Sequence, residues 1–290
     1  MKIPSETSKT SAVTVLEASQ QFLCQHSVLC QTSLPYRDPG PDVRVWEKES
    51  WFVSLSLEAG RVKNPETGKW VQLGLPFGPK PRLILAHLNT EALKIGSPEI
   101  NVEDSLTAFV RRIQNYRPNG KEIRTFKEHL NKLSAAIIRI AMQADKRSPQ
   151  INSNIITTFE LFFSEDEGQR VLWPSSIRLS HEYFTSLQNH AVPLDERAIA
   201  GLSHSAMALD IYAWLAQRLH RVPRGKPQFI AWTALKDQFG AGYHRIDNFK
   251  AVFRKALMQV LAFYQVAKVE GDDHGLTLRN SLPPVKKRLN

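Results

Sequence analysis

The stretch His244–Tyr264 reads HRIDNFKAVFRKALMQVLAFY. Its apolar residues, Phe249, Phe253, Ala256, Leu257, Val260, Leu261 and Tyr264, recur at the spacing of a helix that buries one face. The opposite face carries Lys250 and Arg254, one turn apart, with Arg245, Asn248 and Lys255 beside them. No carboxylate follows Asp247 within the stretch. A buried stripe backed by an uncancelled basic face suits a helix lying along a polyanion. The same pattern also describes an ordinary amphipathic helix with a solvated face, so the flanking sequence has to decide.

Upstream, Thr233-Ala-Leu-Lys-Asp-Gln-Phe239 predicts a short helix capped by Thr233. Gly240-Ala-Gly242 ends it, because glycine readily takes the left-handed geometry of a helix end. Two helices joined by a glycine-containing turn, the second basic, make a helix-turn-helix candidate. Downstream, Val266–Val269 and Leu276–Leu278 flank Glu270-Gly-Asp-Asp-His-Gly275, a strand–turn–strand pattern. With an earlier helix over Ser205–His220, the order is that of a winged-helix domain.

The chain has 290 residues, long enough for two domains, and its 42% hydrophobic content with 14 Phe can build real cores. The net charge of +10 points to an anionic partner. That charge sits in two blocks. Residues 195–290 hold 15 Lys+Arg against 8 Asp+Glu, and residues 111–147 hold 10 against 3. The two cysteines, Cys24 and Cys30, predict reduced cytosolic thiols rather than a disulfide framework. The N-terminal MKIPSETSKTSAV lacks an apolar core, which predicts no secretory signal. No apolar run reaches membrane-spanning length, Ala135–Met142 being cut by Arg139. The expectation is a soluble, cytoplasmic protein with no membrane partner.

Taken in order, residues 1–41 are Ser-, Thr- and Gln-rich and read as a flexible tail. Trp51–Leu57 alternates as a strand, Asn64–Gly68 turns, and Trp70–Leu73 returns. Three prolines over Pro76–Arg82 precede a helix at Leu83–Lys94. A short strand at Ile100–Val102 and a helix at Ser105–Ile113 come next. Thr125–Gln143 reads as one long helix with Phe126, Leu130, Leu133, Ile137 and Ala141 on a face. Strands are expected over Ile151–Phe163, Arg170–Trp173 and Ile177–Leu179, then a helix at His181–Gln188 ended by Pro193. These elements repeat. Leu83–Lys94 corresponds to Ala208–His220, and Ser105–Ile113 to Thr233–Phe239. Phe126, Leu130 and Ile137 correspond to Phe249, Phe253 and Val260 at an offset of 123, and the turn at Glu165–Gly168 to that at Glu270–Gly275. The expected fold class is α+β: two tandem winged-helix domains related by an internal pseudo-repeat. The expected divisions are a tail over 1–41, an N-terminal domain with a preceding β-hairpin over 42–192, a C-terminal domain over 193–282 and a basic tail over 283–290.

Enzymatic patterns are missing from the sequence. The nine histidines form no His-x-His pair beside a tyrosine and no His-Glu-x-x-His, and no Cys/His zinc spacing occurs. Gly68-Lys69 and Gly74–Lys80 both fail the phosphate-loop pattern. No catalytic centre, metal or cofactor is expected. The candidate DNA contacts are, in the C-terminal block, Arg245 and Asn248 for base edges and Lys250, Arg254 and Lys255 for phosphates or bases. In the N-terminal block they are Arg124, Lys127 and Asn131, with Arg111 and Arg112 directed at phosphates.

Four further stretches are Gly74-Leu-Pro-Phe-Gly-Pro-Lys-Pro-Arg-Leu-Ile-Leu-Ala-His-Leu-Asn-Thr-Glu-Ala92, Asp104-Ser-Leu-Thr-Ala-Phe-Val-Arg-Arg112, Ala208-Leu-Asp-Ile-Tyr-Ala-Trp-Leu215 and Ile230-Ala-Trp-Thr-Ala-Leu-Lys-Asp-Gln-Phe-Gly240. In collinear order they resemble the signatures of the plasmid-encoded RepA replication initiator family, over about Arg44 to Val285. The sequence departs from that pattern at Phe159–Phe163, where a Trp-containing strand is expected, and at Gln265, where a proline is common. The resemblance implies an initiator that binds directly repeated sites, iterons, in double-stranded DNA at a plasmid origin. It also implies help in opening the origin and contact with the host replication initiator and helicase, with homodimerisation allowed. Two alternatives share the fold: a transcriptional regulator or autorepressor, and a protein whose N-terminal winged helix serves only to dimerise.

Overall fold

The computed structural model describes residues 21–285, apart from 51–52, 65–66, 102–104, 115, 143–149, 154 and 159–175. The first half runs β1 (Phe22–His26), α1 (Ser27–Gln31), β2 (Val45–Ser50), β3 (Val53–Glu58), β4 (Arg61–Lys63), β5 (Trp70–Gln72), α2 (Pro79–Ile95), β6 (Glu99–Asn101), α3 (Leu106–Gln114), α4 (Gly120–Ala135), β7 (Ile137–Met142), β8 (Gln150–Ser153), β9 (Ile156–Thr158), β10 (Ser176–Leu179) and α5 (His181–His190). The second half runs β11 (Ala191–Asp195), α6 (Glu196–Leu202), α7 (Ala206–Arg218), β12 (Gln228–Ala231), α8 (Trp232–Phe239), α9 (Ile246–Phe263), β13 (Val269–Gly271) and β14 (Gly275–Leu278). The α+β class is as expected. The C-terminal elements keep the expected order, with a small sheet of order β12-β14-β13, antiparallel throughout. The first half holds a sheet of order β6-β10-β9, also antiparallel.

Two helices form the central layer. α2 and α7 are buried along nearly their whole length, as befits helices that are apolar around most of their circumference. α2 starts earlier than the sequence suggests, with Pro79 in its first turn, where the missing N–H would have had no helical partner. The two helices are joined by a buried ion pair. Arg82 Nε and Nη2 each donate to the Asp210 carboxylate at 2.7 Å. The same guanidinium donates to the carbonyls of Gly78 at 2.6 Å and Leu34 at 2.8 Å, and it lies over the Tyr36 ring at 5.2 Å. Its donors are thus satisfied, which a buried charge requires.

Several expectations are corrected. Residues 22–36 belong to no flexible tail. β1 pairs with β11 from Phe22↔Asp195 to His26↔Ala191, and Cys24, Val28, Leu29, Cys30 and Leu34 are buried in the core. Both elements are only five residues long, too short for their composition to show a period. The expected boundary at 192/193 falls inside β11. The long helix over Thr125–Gln143 ends at Ala135, and Ile137–Met142 is a strand paired with β3. Its β-branched residues favour the pleated surface, so Ile137 is not the counterpart of Val260. β3 pairs with β2 and β7, while Trp70–Gln72 pairs with β4 instead of with β3. α8 begins at Trp232 with Ala231 before it and no side-chain cap, so Thr233 does not cap it. Gly240 has φ −95° and is needed for another reason: a Cβ there would sit 2.5 Å from the Lys236 carbonyl oxygen. The left-handed residue is Gly242, φ +84°. α6 is an element the sequence pattern does not predict. The turn at Glu165–Gly168 and the strand Arg170–Trp173 lie outside the described residues.

Candidate nucleic-acid interface

α9 is anchored by an aromatic cluster. Phe249 and Phe253 are fully buried, with Trp232, Phe239 and Tyr243 edge-on against one or both of them at 5.5–6.5 Å. Such contacts add to the area buried and fix the rotation of the helix about its axis. Asn248, Ala251, Val252, Lys255 and Met258 are left on the solvent side. Asn248 and Lys255 are seven residues apart, two turns along one stripe. Arg245 sits at the capping position without a side-chain cap and makes a 3.4 Å ion pair with Asp247. Both groups are largely exposed, so the pair is worth little and leaves Arg245 available.

Lys250 and Arg254 behave differently. Lys250 Nζ donates to the Asp273 carbonyl at 3.1 Å, and Arg254 Nη2 to the Asp272 carbonyl at 2.8 Å. Arg254 also lies 3.4 Å from an Asp273 carboxylate oxygen. Between them is Trp232, whose ring lies 5.8 Å below Lys250 and 5.1 Å below Arg254. The Trp232 indole N–H donates to the same Asp272 carbonyl at 2.9 Å. The Asp272 carboxylate closes the hairpin turn by accepting from the backbone N–H of His274 at 2.7 Å and Gly275 at 2.8 Å, bonds that hold its pKa below the ordinary value. The basic face expected to be uncancelled is therefore partly met by the hairpin's own carbonyls and carboxylates. Only the fold brings residues 272–273 over this helix. Both cations keep further donors, so they can still meet an anion, but they also fasten the β13–β14 turn to α9.

In the first half, α4 starts with a capping box: Asn119 accepts from the Glu122 N–H and Glu122 accepts from the Asn119 N–H. Arg124 is exposed, while Lys127 and Asn131 are half-buried, and burial lowers the Lys127 pKa. Lys132 pairs with Glu128 at 2.5 Å and lies 4.7 Å over the Phe77 ring. Arg111 and Arg112 are exposed in the last turn of α3, where they complement the helix dipole. The sequence reading missed the role of Trp232 as the platform under two cations. An Asp-Asp pair in the hairpin turn and a Lys/Arg pair one turn apart were the available signal, but not their meeting.

The family model described as plasmid encoded RepA protein matches residues 75–234, more than half of the chain, and stops within α8 before α9. Crystal structures of domains 2 and 3 of RctB are similar. The selenomethionine form has a TM-score of 0.50 and 6% identity, covering 87% of this chain and 96% of that one. A second has a TM-score of 0.48 and 8% identity, covering 85% of each chain. At such identity the first likeness is one of fold. No curated protein matches.

Proposed function

The chain belongs to the plasmid-encoded RepA protein family, and from that premise we propose that it is a replication initiator that binds directly repeated sites at a plasmid origin. Its C-terminal winged helix sets the first turns of α9 into a major groove. Arg245 and Asn248 read base edges there, since Arg bonds guanine and Asn bonds adenine bidentately. Lys255 meets phosphate, as do Arg111, Arg112 and Arg124 of the first half. Binding promotes opening of the origin and draws in the host initiator and helicase. The protein works in the cytoplasm, without a catalytic centre of its own. The observation that carries this reading is the open N-terminal end of α9: Arg245 and Asn248 are exposed on a helix whose rotation an aromatic cluster fixes.

The test is equilibrium binding to a duplex carrying the origin's direct repeats and to a scrambled duplex. Asn248→Ala is expected to lose roughly 1–3 kcal/mol on the repeats and almost nothing on the scrambled duplex. Equal losses on both, or none on either, would overturn base reading by this helix.

A further inference from the structure

The far end of α9 borders a second cationic surface that the DNA reading leaves unused. Its walls are the Pro223–Pro227 turn, residues 265–268 after α9, and residues 279–282 after β14. They enclose an open groove of about 720 Å³, within the ~300–1,000 Å³ typical of ligand clefts. α9 has 18 residues, so at ~1.5 Å per residue the groove lies about 27 Å along the helix from Arg245. It also lies at the open end of the β13–β14 hairpin, away from the turn held by Lys250 and Arg254.

Three independent features make it a built site. The first is charge. Arg224, Lys226 and Lys268 line it and are exposed; Arg279 beside them is held by Glu270 at 3.1 Å. Among the described residues no carboxylate lines the groove. The second is rigidity. Lys268 N–H donates to Ser281 Oγ at 2.9 Å, Arg279 N–H to the Lys268 carbonyl at 3.0 Å, and Tyr264 O–H to the Leu282 carbonyl at 2.7 Å. Asn280 Nδ2 reaches the Val222 carbonyl at 2.7 Å, tying the third wall to the first. Gly225 sits at φ +76° between two prolines, which fixes the turn. Preorganised walls spare the ordering cost of binding. The third feature is apolar: Val266 and Leu282, 50% and 60% exposed, face solvent on the same rim.

We propose that this groove, built from the Pro223–Pro227 turn, the end of α9 and the Arg279–Leu282 segment, docks an extended acidic segment of a partner protein in which Asp or Glu alternates with apolar residues. The carboxylates meet Arg224, Lys226 and Lys268, and the apolar side chains cover Val266 and Leu282. A DNA backbone matches the charge but brings no side chain for the apolar rim. The chain's own ends do not fit: residues 1–20 carry Lys2, Lys9, Glu6 and Glu17 in equal numbers of each sign, and residues 286–288 are Lys-Lys-Arg. The proposal is independent of the DNA-reading role of α9, because it uses the opposite end.

The probe is a fluorescein-labelled peptide alternating Glu and Leu, titrated with the full-length protein and followed by anisotropy. A control peptide has Ser in place of Leu. The Arg224→Ala/Lys226→Ala/Lys268→Ala variant is expected to bind the Glu/Leu peptide at least roughly tenfold more weakly, to bind duplex DNA as the wild type does, and to melt as the wild type does. Should it fail to fold, Lys226→Glu alone carries the test. Unchanged peptide affinity in the variant overturns the proposal. So does equal affinity for the Glu/Leu and Glu/Ser peptides, which reduces the groove to a charge patch. A matching loss of duplex affinity also overturns it, by assigning the surface to DNA.

Discussion

α4 and α9 each follow a shorter helix, α3 and α8, and each half has a three-stranded sheet, β6-β10-β9 and β12-β14-β13. The chain leaves the two helices in different ways. After α9 it turns directly into β13, and the β13–β14 turn folds back onto Lys250 and Arg254. After α4 a single residue leads into β7, which joins the four-stranded sheet β2-β3-β7-β8. The surroundings of α4 are then those of a scaffold. His129 meets the Phe77 ring edge-on and Lys132 lies over it, and Lys80 lies over Phe126 at 4.9 Å. The same order of elements therefore does not guarantee the same exposed chemistry. The basic side chains of α4 past Arg124, Lys127 and Lys132, sit against the body of the first half, while α9 leaves Arg245, Asn248 and Lys255 exposed.

The largest expected effect tests whether the two halves are one body. Asp210→Ala leaves Arg82 buried without its carboxylate and should destabilise the protein by about 3–5 kcal/mol. Because the pair spans both halves, urea unfolding should remain a single transition, shifted to lower urea. Two transitions with only one displaced would show that the halves unfold separately. The double exchange Arg82→Met/Asp210→Leu should recover part of the loss, since an apolar pair carries no charge to desolvate but leaves the Gly78 and Leu34 carbonyls without this donor.

A second effect, smaller for any one residue, comes from titration within the first half. Burial lowers the pKa of His26 to about 3, and of His87 and His129 to about 4; all three lie in the first half. Below pH ~6.5 the unfolded chain takes up these protons and the folded chain does not. Stability should therefore fall as pH drops from 6.5 toward 4, by up to about 1.4 kcal/mol per pH unit for each histidine. Urea midpoints between pH 7.5 and 5 check it, above the range where carboxylates titrate. His129→Leu should flatten the dependence, and a profile flat down to pH 5 would mean that these rings are hydrated.

The smallest effects grade the DNA contacts. Lys255→Ala should reduce the magnitude of the salt slope, d log K/d log[salt], by about 0.9, the value for one phosphate contact. Lys250→Ala/Arg254→Ala should reduce it by less than the ~1.8 of two free contacts, because both side chains also hold the hairpin turn. Arg124→Ala reports on the first half. A reduction as large as that from Lys255→Ala would place α4 on the DNA as firmly as α9 and dissolve the contrast between them.

The stripe of Phe249, Phe253, Leu257 and Val260 located α9 almost to the residue, and the Asp-Asp turn located the hairpin after it. Helical and strand periods are local properties, and where a face is buried over several turns the sequence alone determined the element. The same holds for α2, α3 and α7, and for the basic character of the two blocks. Where a segment is shorter than its own period, the local pattern has nothing to show. β1 and α1 read as tail because five residues cannot display a face, and only pairing of β1 with β11 and packing of β1 against α2 and of α1 against α7 make them core. Ile137–Met142 continues a plausible helix until β3 offers it a ladder. The partner of Arg82 lies 128 residues away, and the acceptors of Lys250 and Arg254 lie 18 to 23 residues away across a turn. Contacts of that kind depend on where distant backbone comes to rest, and so the tertiary structure alone decided which cations are fastened within the protein and which face solvent.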